Sequence, residues 1–368
     1  MKNKILKKNI VFAILLFSSL FVMGCVSNNS TEKETTLTSV EDLGVIYFGA
    51  PAIGGQEATF AVQKVRPENN AYISVVIRNN ALGDEASNIE LSLDNVEPFK
   101  IVECGVAHEP NDIRDTSKDE FSCNTWAPDN GKQVRTHFLE HMFPNEEIEF
   151  IYILQAPSSS EIANVYYEHN IYYTLNYHYK VGAYEEIQAM TQEEFTRKST
   201  NKENILGNAG ITAGALRATP KQQTVIYSPG IKQNFLYEYT LTNAGKGIIK
   251  PNSYVNVSIQ YPNAVEIPSY GEWIDISHCQ INAESGEKGK WCAWYRKEYG
   301  IGEGEDIGNV IVASFPSIEF ITEKPITMQF NLKESYTNMP LQSLKFYMRI
   351  SYDYMQEGTT KIGVLPLK

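Results

Sequence analysis

Positive charge is scarce: 32 Lys and Arg stand against 44 Asp and Glu in 368 residues, a net charge of -12. Phosphate backbones are held by clustered Lys and Arg, so DNA and RNA are excluded as partners. Long apolar runs are also missing. The uncharged stretch Ile10 to Met23 has 14 residues, short of the ~20 that an ordinary membrane-spanning helix needs. There are only five cysteines and no Cys-x-x-Cys pair, which removes the usual signature of structural zinc. No Gly-x-Ser-x-Gly elbow offers a hydrolase nucleophile. What is present, 42% hydrophobic residues with 22 Tyr and 16 Phe, is enough to build real cores and argues against intrinsic disorder.

The N-terminus reads as an address. Lys2, Lys4, Lys7 and Lys8, with no acid, precede the apolar run, as in the charged and apolar regions of a signal peptide. The run ends in Val22-Met23-Gly24-Cys25, which resembles the lipobox of prokaryotic lipoproteins. The resemblance implies that Cys25 becomes the new N-terminus and carries lipid. Val26 to Thr38, rich in Ser, Thr and Asn, reads as a flexible tether. Loss of residues 1–24 removes four Lys and no acid, leaving 28 positive and 44 negative side chains. Anionic headgroups repel such a surface, so membrane attachment is expected through the lipid and not through a basic patch.

The other cysteines form two nearby pairs, Cys104 with Cys123 and Cys279 with Cys292. In an exported chain this implies two disulfides, and of the three connectivities the within-pair one closes short loops. The flanking strands recur in one order. Ile73, Val75 and Ile77 alternate in the first half as Phe235, Tyr237, Tyr239 and Leu241 do in the second. Ile89, Leu91 and Leu93 match Val255, Val257 and Ile259; Ile148, Phe150, Tyr152 and Leu154 match Ile326, Met328, Phe330 and Leu332. Last come long alternating segments that share an ending, Tyr177-His178-Tyr179 against Tyr352-Asp353-Tyr354. Gly182 and Gly358 then read as hairpin turns into final strands. Period-two alternation over about seven strands per copy predicts an all-β chain of two tandem sandwiches.

With Asn79 and Asn243 ending strands, Pro144 to Phe150 entering one and Gln155-Ala156-Pro157 leaving it, the pattern resembles the immunoglobulin-like domains, CARDB or NEW3-like, of prokaryotic surface lipoproteins. The expected organisation is a signal peptide over 1–24, a tether over 25–43, sandwiches over 44–190 and 212–368, and a linker over 191–211. A short helix is expected in the linker, because Thr191-x-x-Glu194 has the form of a capping box.

Three sets of residues invite chemistry. His137-Phe138-Leu139-Glu140-His141 looks like the H-x-x-E-H motif of inverzincin peptidases, which requires a helix to bring both histidines to one face. Pro144 and the alternation after it predict a strand instead, which would set Glu140 opposite His137 and His141. In the first cysteine loop His108, Glu109, Asp112, Asp115, Asp119 and Glu120 are hard-cation donors without EF-hand spacing. Trp273, Trp291 and Trp294 gather around the second cysteine pair, where they either stack on sugar rings or pack against the disulfide.

The expectation is therefore a non-catalytic protein, lipid-anchored through Cys25 on the extracytoplasmic side of the cell membrane. It would bind or position a surface protein or glycan, as in adhesion. No cofactor is expected. The alternatives are a carbohydrate-binding module using the three Trp, and a zinc peptidase at His137, Glu140 and His141; Ca2+ and Zn2+ are the metals that these residues would take.

Overall fold

The computed structural model describes residues 43–49, 63–80, 85–107, 120–121, 135–212, 214–280 and 284–367. Cys25, the tether through residue 42, Cys123, the side chains of His137 and Glu120, and the other acidic residues of the first cysteine loop, Glu109, Asp112, Asp115 and Asp119, lie outside the described residues.

Seven principal strands build the first half: β1 (Leu43–Gly49), β2 (Asn70–Asn79), β3 (Ala86–Asp94), β4 (Lys100–Ala107), β5 (Arg135–Met142), β6 (Glu147–Gln155) and β7 (Tyr167–Thr191). Helix α1 (Gln192–Thr200) follows, its first turn capped by the Thr191 hydroxyl accepting from the Glu194 N–H. The second half repeats the order with β8 (Leu216–Pro220), β9 (Gln233–Asn243), β10 (Tyr254–Tyr261), β11 (Val265–Glu266), helix α2 (Gly286–Glu298), β12 (Asn309–Pro316), β13 (Lys324–Leu332) and β14 (Leu341–Val364).

Each half is an immunoglobulin-like sandwich. One face of the first is the antiparallel sheet β1-β2-β6-β4, and one face of the second is β8-β9-β13-β11, so strand n of one half occupies the place of strand n+7 in the other. The alternation explains both. Ile73, Val75 and Ile77 are fully buried opposite Tyr152, Phe150 and Ile148, as Tyr237 and Tyr239 are opposite Met328 and Ile326. Apolar burial of this kind stabilises by about 25 cal/mol per Å² removed from water.

The remaining strands of both halves lie in one twelve-stranded sheet, through the order β12-β10-β14-β7-β3-β5. At its centre β7 and β14 pair antiparallel from Tyr167 opposite Val364 to Met190 opposite Leu341. At about 3.4 Å per residue, that ribbon is roughly 80 Å long. Residues Ser39–Lys368 accordingly form a single compact unit.

Gly182 and Gly358 are therefore not hairpin turns, as their sequence context suggested, but extended residues inside β7 and β14. The physical reason is phase. Tyr177, Tyr179, Val181, Ala183 and Ile187 keep odd parity across Gly182 and all face inward, whereas a turn would have reset the alternation. Gly358 serves a close approach: it lies opposite Tyr173, and a Cβ there would sit 2.3 Å from the Tyr173 ring.

Candidate functional site

The endings shared by the two halves meet at the middle of the ribbon. His178 lies directly opposite Asp353, with Tyr177 opposite Tyr354 and Tyr179 opposite Tyr352. Because Tyr177-His178-Tyr179 and Tyr352-Asp353-Tyr354 are equivalent in the repeat, the local two-fold relating the strands passes through the His178–Asp353 pair. The tyrosines point inward and are buried. His178, Lys180, Gly182 and Tyr184 of β7 share the outer face with Tyr347, Arg349, Ser351 and Asp353 of β14.

Helix α2 docks onto that outer face by its last turn. His178 Nδ1 donates to Asp353 Oδ1 at 2.8 Å and Nε2 donates to Glu298 Oε1 at 2.9 Å. The Ser351 hydroxyl also donates to Glu298 Oε1, at 3.1 Å, and Lys180 Nζ donates to the Glu298 carbonyl at 2.9 Å. Burial pulls the imidazole pKa down, but the Asp353 and Glu298 carboxylates outweigh it and raise it to about 9. With a carboxylate on each nitrogen, only the imidazolium satisfies both contacts.

Ser351, His178 and Asp353 thus stand in the contact order of a hydrolytic triad, with Ser351 Oγ 3.2 Å from His178 Nε2. They lack its chemistry. A protonated imidazole is no general base, the serine proton is engaged by Glu298, and Ser351 is 1% exposed. The cluster is a fastening between helix and ribbon.

Helix α2 is itself held by the Cys279–Cys292 disulfide. Around it lies a small second core of Ile276, Tyr295, Ile307, Val310 and Val312, against which Trp291 and Trp294 pack half-buried. Buried Arg296 donates to the carbonyls of Cys279, Gly302 and Glu305, each at 2.7 Å, and so ties down the loop after the helix. Converting both Cys279 and Cys292 to Ser should cost about 2 to 3 kcal/mol by release of a loop of this length. Denaturant midpoints would show it; an unchanged midpoint would mean that the small core alone fixes the helix.

The three sequence-selected Trp separate in space. Trp273 is 6% exposed and packs edge-on to Phe315 at 6.1 Å, so it offers no ring face to a ligand. Trp291 and Trp294 meet each other at 5.1 Å on α2. Cys104 is disulfide-bonded. Residues 137–141 lie in strand β5 and not in a helix, with His137 backbone-paired to Leu91 and His141 ion-paired to Glu85. The zinc-peptidase reading loses the helical face that it requires.

Sequence reasoning missed the cleft beside α2. Lys180, Gly182, Thr212, Lys297, Glu298, Tyr299 and Arg349 line a cavity of about 680 Å³. It continues through Gly182, Thr212 and Arg349 into a second cavity of about 380 Å³ walled by Tyr184 and Tyr347. Both volumes are in the range of small-ligand sites. The described residues thus form two immunoglobulin-like sandwiches joined through one sheet, with a cleft on its outer face beside α2.

No protein-family model matches the chain, and no curated protein matches it in sequence. Among solved structures it is similar to the C-terminal domain of the antigen I/II polypeptide BspA of Streptococcus agalactiae, with 6% identity over 83% of this chain and 94% of that one and a TM-score of 0.18. It is also similar to the pilus backbone RrgB of Streptococcus pneumoniae, with 10% identity, coverage of 78% and 88%, and a TM-score of 0.23. A third is the collagen adhesin of S. aureus, with 7% identity, coverage of 83% and 90%, and a TM-score of 0.10. Scores this low assign no residue of this chain a role from theirs.

Proposed function

We propose that the protein is a non-catalytic, lipid-anchored component of the extracytoplasmic face of the cell membrane, whose joined sandwiches bind or position an extracellular partner. The observation that carries this reading is Val22-Met23-Gly24-Cys25 at the end of a Lys-led apolar run: a thiol at that place is the acceptor for a thioether-linked diacylglyceryl group. The body fits such a station. Its central His, Asp, Glu and Ser are spent on one another, and its disulfide suits an oxidising compartment.

Cys25→Ser decides the anchor. The wild-type protein should incorporate labelled fatty acid and enter the detergent phase on phase separation, and the variant should do neither, remaining in the aqueous phase. One acyl chain alone gives marginal membrane attachment and two give a stable one, so the change in partition should be close to complete. A variant that still partitions with membrane, beside an unlabelled wild type, would remove the lipoprotein reading.

A further inference from the structure

We infer that the cleft on the outer face of the shared sheet is a binding site for an anionic saccharide, with Tyr184 and Tyr347 as its ring platform and Arg349 as its carboxylate contact. The inference deepens the binding role proposed above and relies on it only for the place where such a ligand would be met.

The first support is the state of the two tyrosines. They face each other across β7 and β14, and both project outward from a sheet whose inward neighbours, Ala183 and Met348, are buried. Tyr184 is 40% exposed and Tyr347 44%. Tyr184 lies across the neighbouring short strand Ala209–Ile211 over Gly210, where a Cβ would come 2.4 Å from the ring. That glycine lets the ring lie against the sheet. Aromatic rings held in this way present a face for the C–H groups of a pyranose, and Tyr supplies such contact area at low entropic cost.

The second support is charge. Three cations line the cleft: Lys180, Lys297 and Arg349. Its two acids are already engaged, Glu298 by His178, Ser351 and Lys180, and Glu85 by His141, which leaves Lys297 and Arg349 as the cations of the cleft outside that cluster. Arg349 lies 4.8 Å from the centre of the Tyr299 ring and has no carboxylate partner among the described residues. Stacking on Tyr299 holds the guanidinium plane and leaves its N–H fork for a planar oxyanion. On a chain of net charge -12, a cleft with this local excess of positive charge is set apart from the surface around it.

The third support separates a saccharide from a peptide. Extended peptides gain affinity by adding a strand to a free sheet edge. Here the cleft crosses the face of the sheet, where the backbone groups of β7 and β14 are spent on each other and on the strands alongside. Recognition must come from side chains: ring faces at one end and cations in the middle; the Thr212 hydroxyl at the rim is spent on the Gly182 backbone.

The test is calorimetric titration of the unit Ser39–Lys368 with a hexasaccharide of alternating glucuronate and N-acetylglucosamine, with the same oligosaccharide after reduction of its carboxyl groups to alcohols, and with hexaglutamate. The acidic sugar should bind at one site, weakening with added salt, and the reduced sugar should bind roughly tenfold or more weakly, as loss of a charge-assisted pair implies. Arg349→Gln should weaken it comparably, and so should Tyr347→Ala and Tyr184→Ala, all with unchanged thermal midpoints. Lys361→Ala, exposed elsewhere on β14, should bind as wild type. No binding of the acidic sugar, equal binding of the reduced one, tighter binding of hexaglutamate, or an Arg349→Gln variant that binds as wild type would each overturn the assignment. None of these results touches the anchor, which the Cys25→Ser partition reads separately.

Discussion

His178→Ala should destabilise the protein by about 3 kcal/mol at pH 6, because it removes the cation between two carboxylates and leaves the half-buried Glu298 charge with only Lys180 at 3.9 Å and the Ser351 hydroxyl to offset it. The side chains of His178 and Glu298 are 19% and 17% exposed, so solvent screens this arm weakly; Asp353, at 47%, is screened and contributes the smaller share. The sign with pH follows from the direction in which the pKa moves. The imidazole titrates near 6.5 when unfolded and near 9 when folded. Its stabilisation is therefore complete below 6.5, declines between 6.5 and 9, and is gone above that window. Denaturant midpoints of wild type and His178→Ala at pH 6 and pH 10 should differ strongly at the first and converge toward the second. Equal midpoints at pH 6 would show that α2 is held by its disulfide and small core without this fastening. Asp353→Asn should produce a weaker effect of the same sign.

That cluster was only partly legible in the sequence. Alternation gave the inward stripes, because a strand with one buried face has no choice but to repeat every two residues. It also paired the halves, and the shared endings at Tyr177 to Tyr179 and Tyr352 to Tyr354 fall at the two-fold of the ribbon. What alternation does not carry is the identity of a strand's second neighbour. The long pairing of β7 with β14 joins residues that are as much as 197 positions apart, Tyr167 with Val364, and no local pattern encodes it. Reading Gly182 and Gly358 as turns followed from composition; the unbroken odd parity from Tyr173 to Ala189 was the contrary signal, and it is also the stronger one physically, since a phase change would expose a whole stripe. With the ribbon recognised, a His and an Asp at equivalent positions of strands related by a two-fold would have been placed face to face. Glu298 was beyond reach, because the α2 segment carries Gly286 and Gly289 and its Trp and Tyr residues suggested a loop cluster; the disulfide and Arg296 supply what propensity withholds. The same holds for the cleft, whose tyrosines and cations come from separate strands and a helix end.

Glu185→Gln should raise stability at pH 8 by up to about 3 kcal/mol while leaving it almost unchanged at pH 4. Glu185 is on the inward face of β7, 1% exposed, and neither carboxylate oxygen has a hydrogen-bond partner among the described residues. Burial raises its pKa from 4.5 to about 7, and it adds to the upward displacement of the neighbouring Tyr237 and Tyr239 phenols, whose first cause is their own burial. The folded protein therefore holds a proton that the unfolded chain releases near 4.5. Stability from this group is intact below 4.5, falls as pH rises to 7, and stays low above it. Each tenfold change in an acid's ionisation constant between the unfolded and folded chain is worth about 1.4 kcal/mol, so the loss is of order 3 kcal/mol. An amide at this position never ionises, so the variant should lose that slope, keeping only the smaller cost of a buried unpaired amide. Wild-type stability should then peak near pH 4.5, bounded below by protonation of Asp353 and Glu298, whose pKa values His178 lowers against the opposing pull of burial, and falling above it by ionisation of Glu185 followed by neutralisation of His178. Urea midpoints of wild type and Glu185→Gln at pH 4, 6 and 8 measure the effect. If the wild-type curve is flat from 4.5 to 7, or Glu185→Gln retains the wild-type slope there, the carboxyl has found water or a partner in the core, and the acidic optimum belongs to His178 alone.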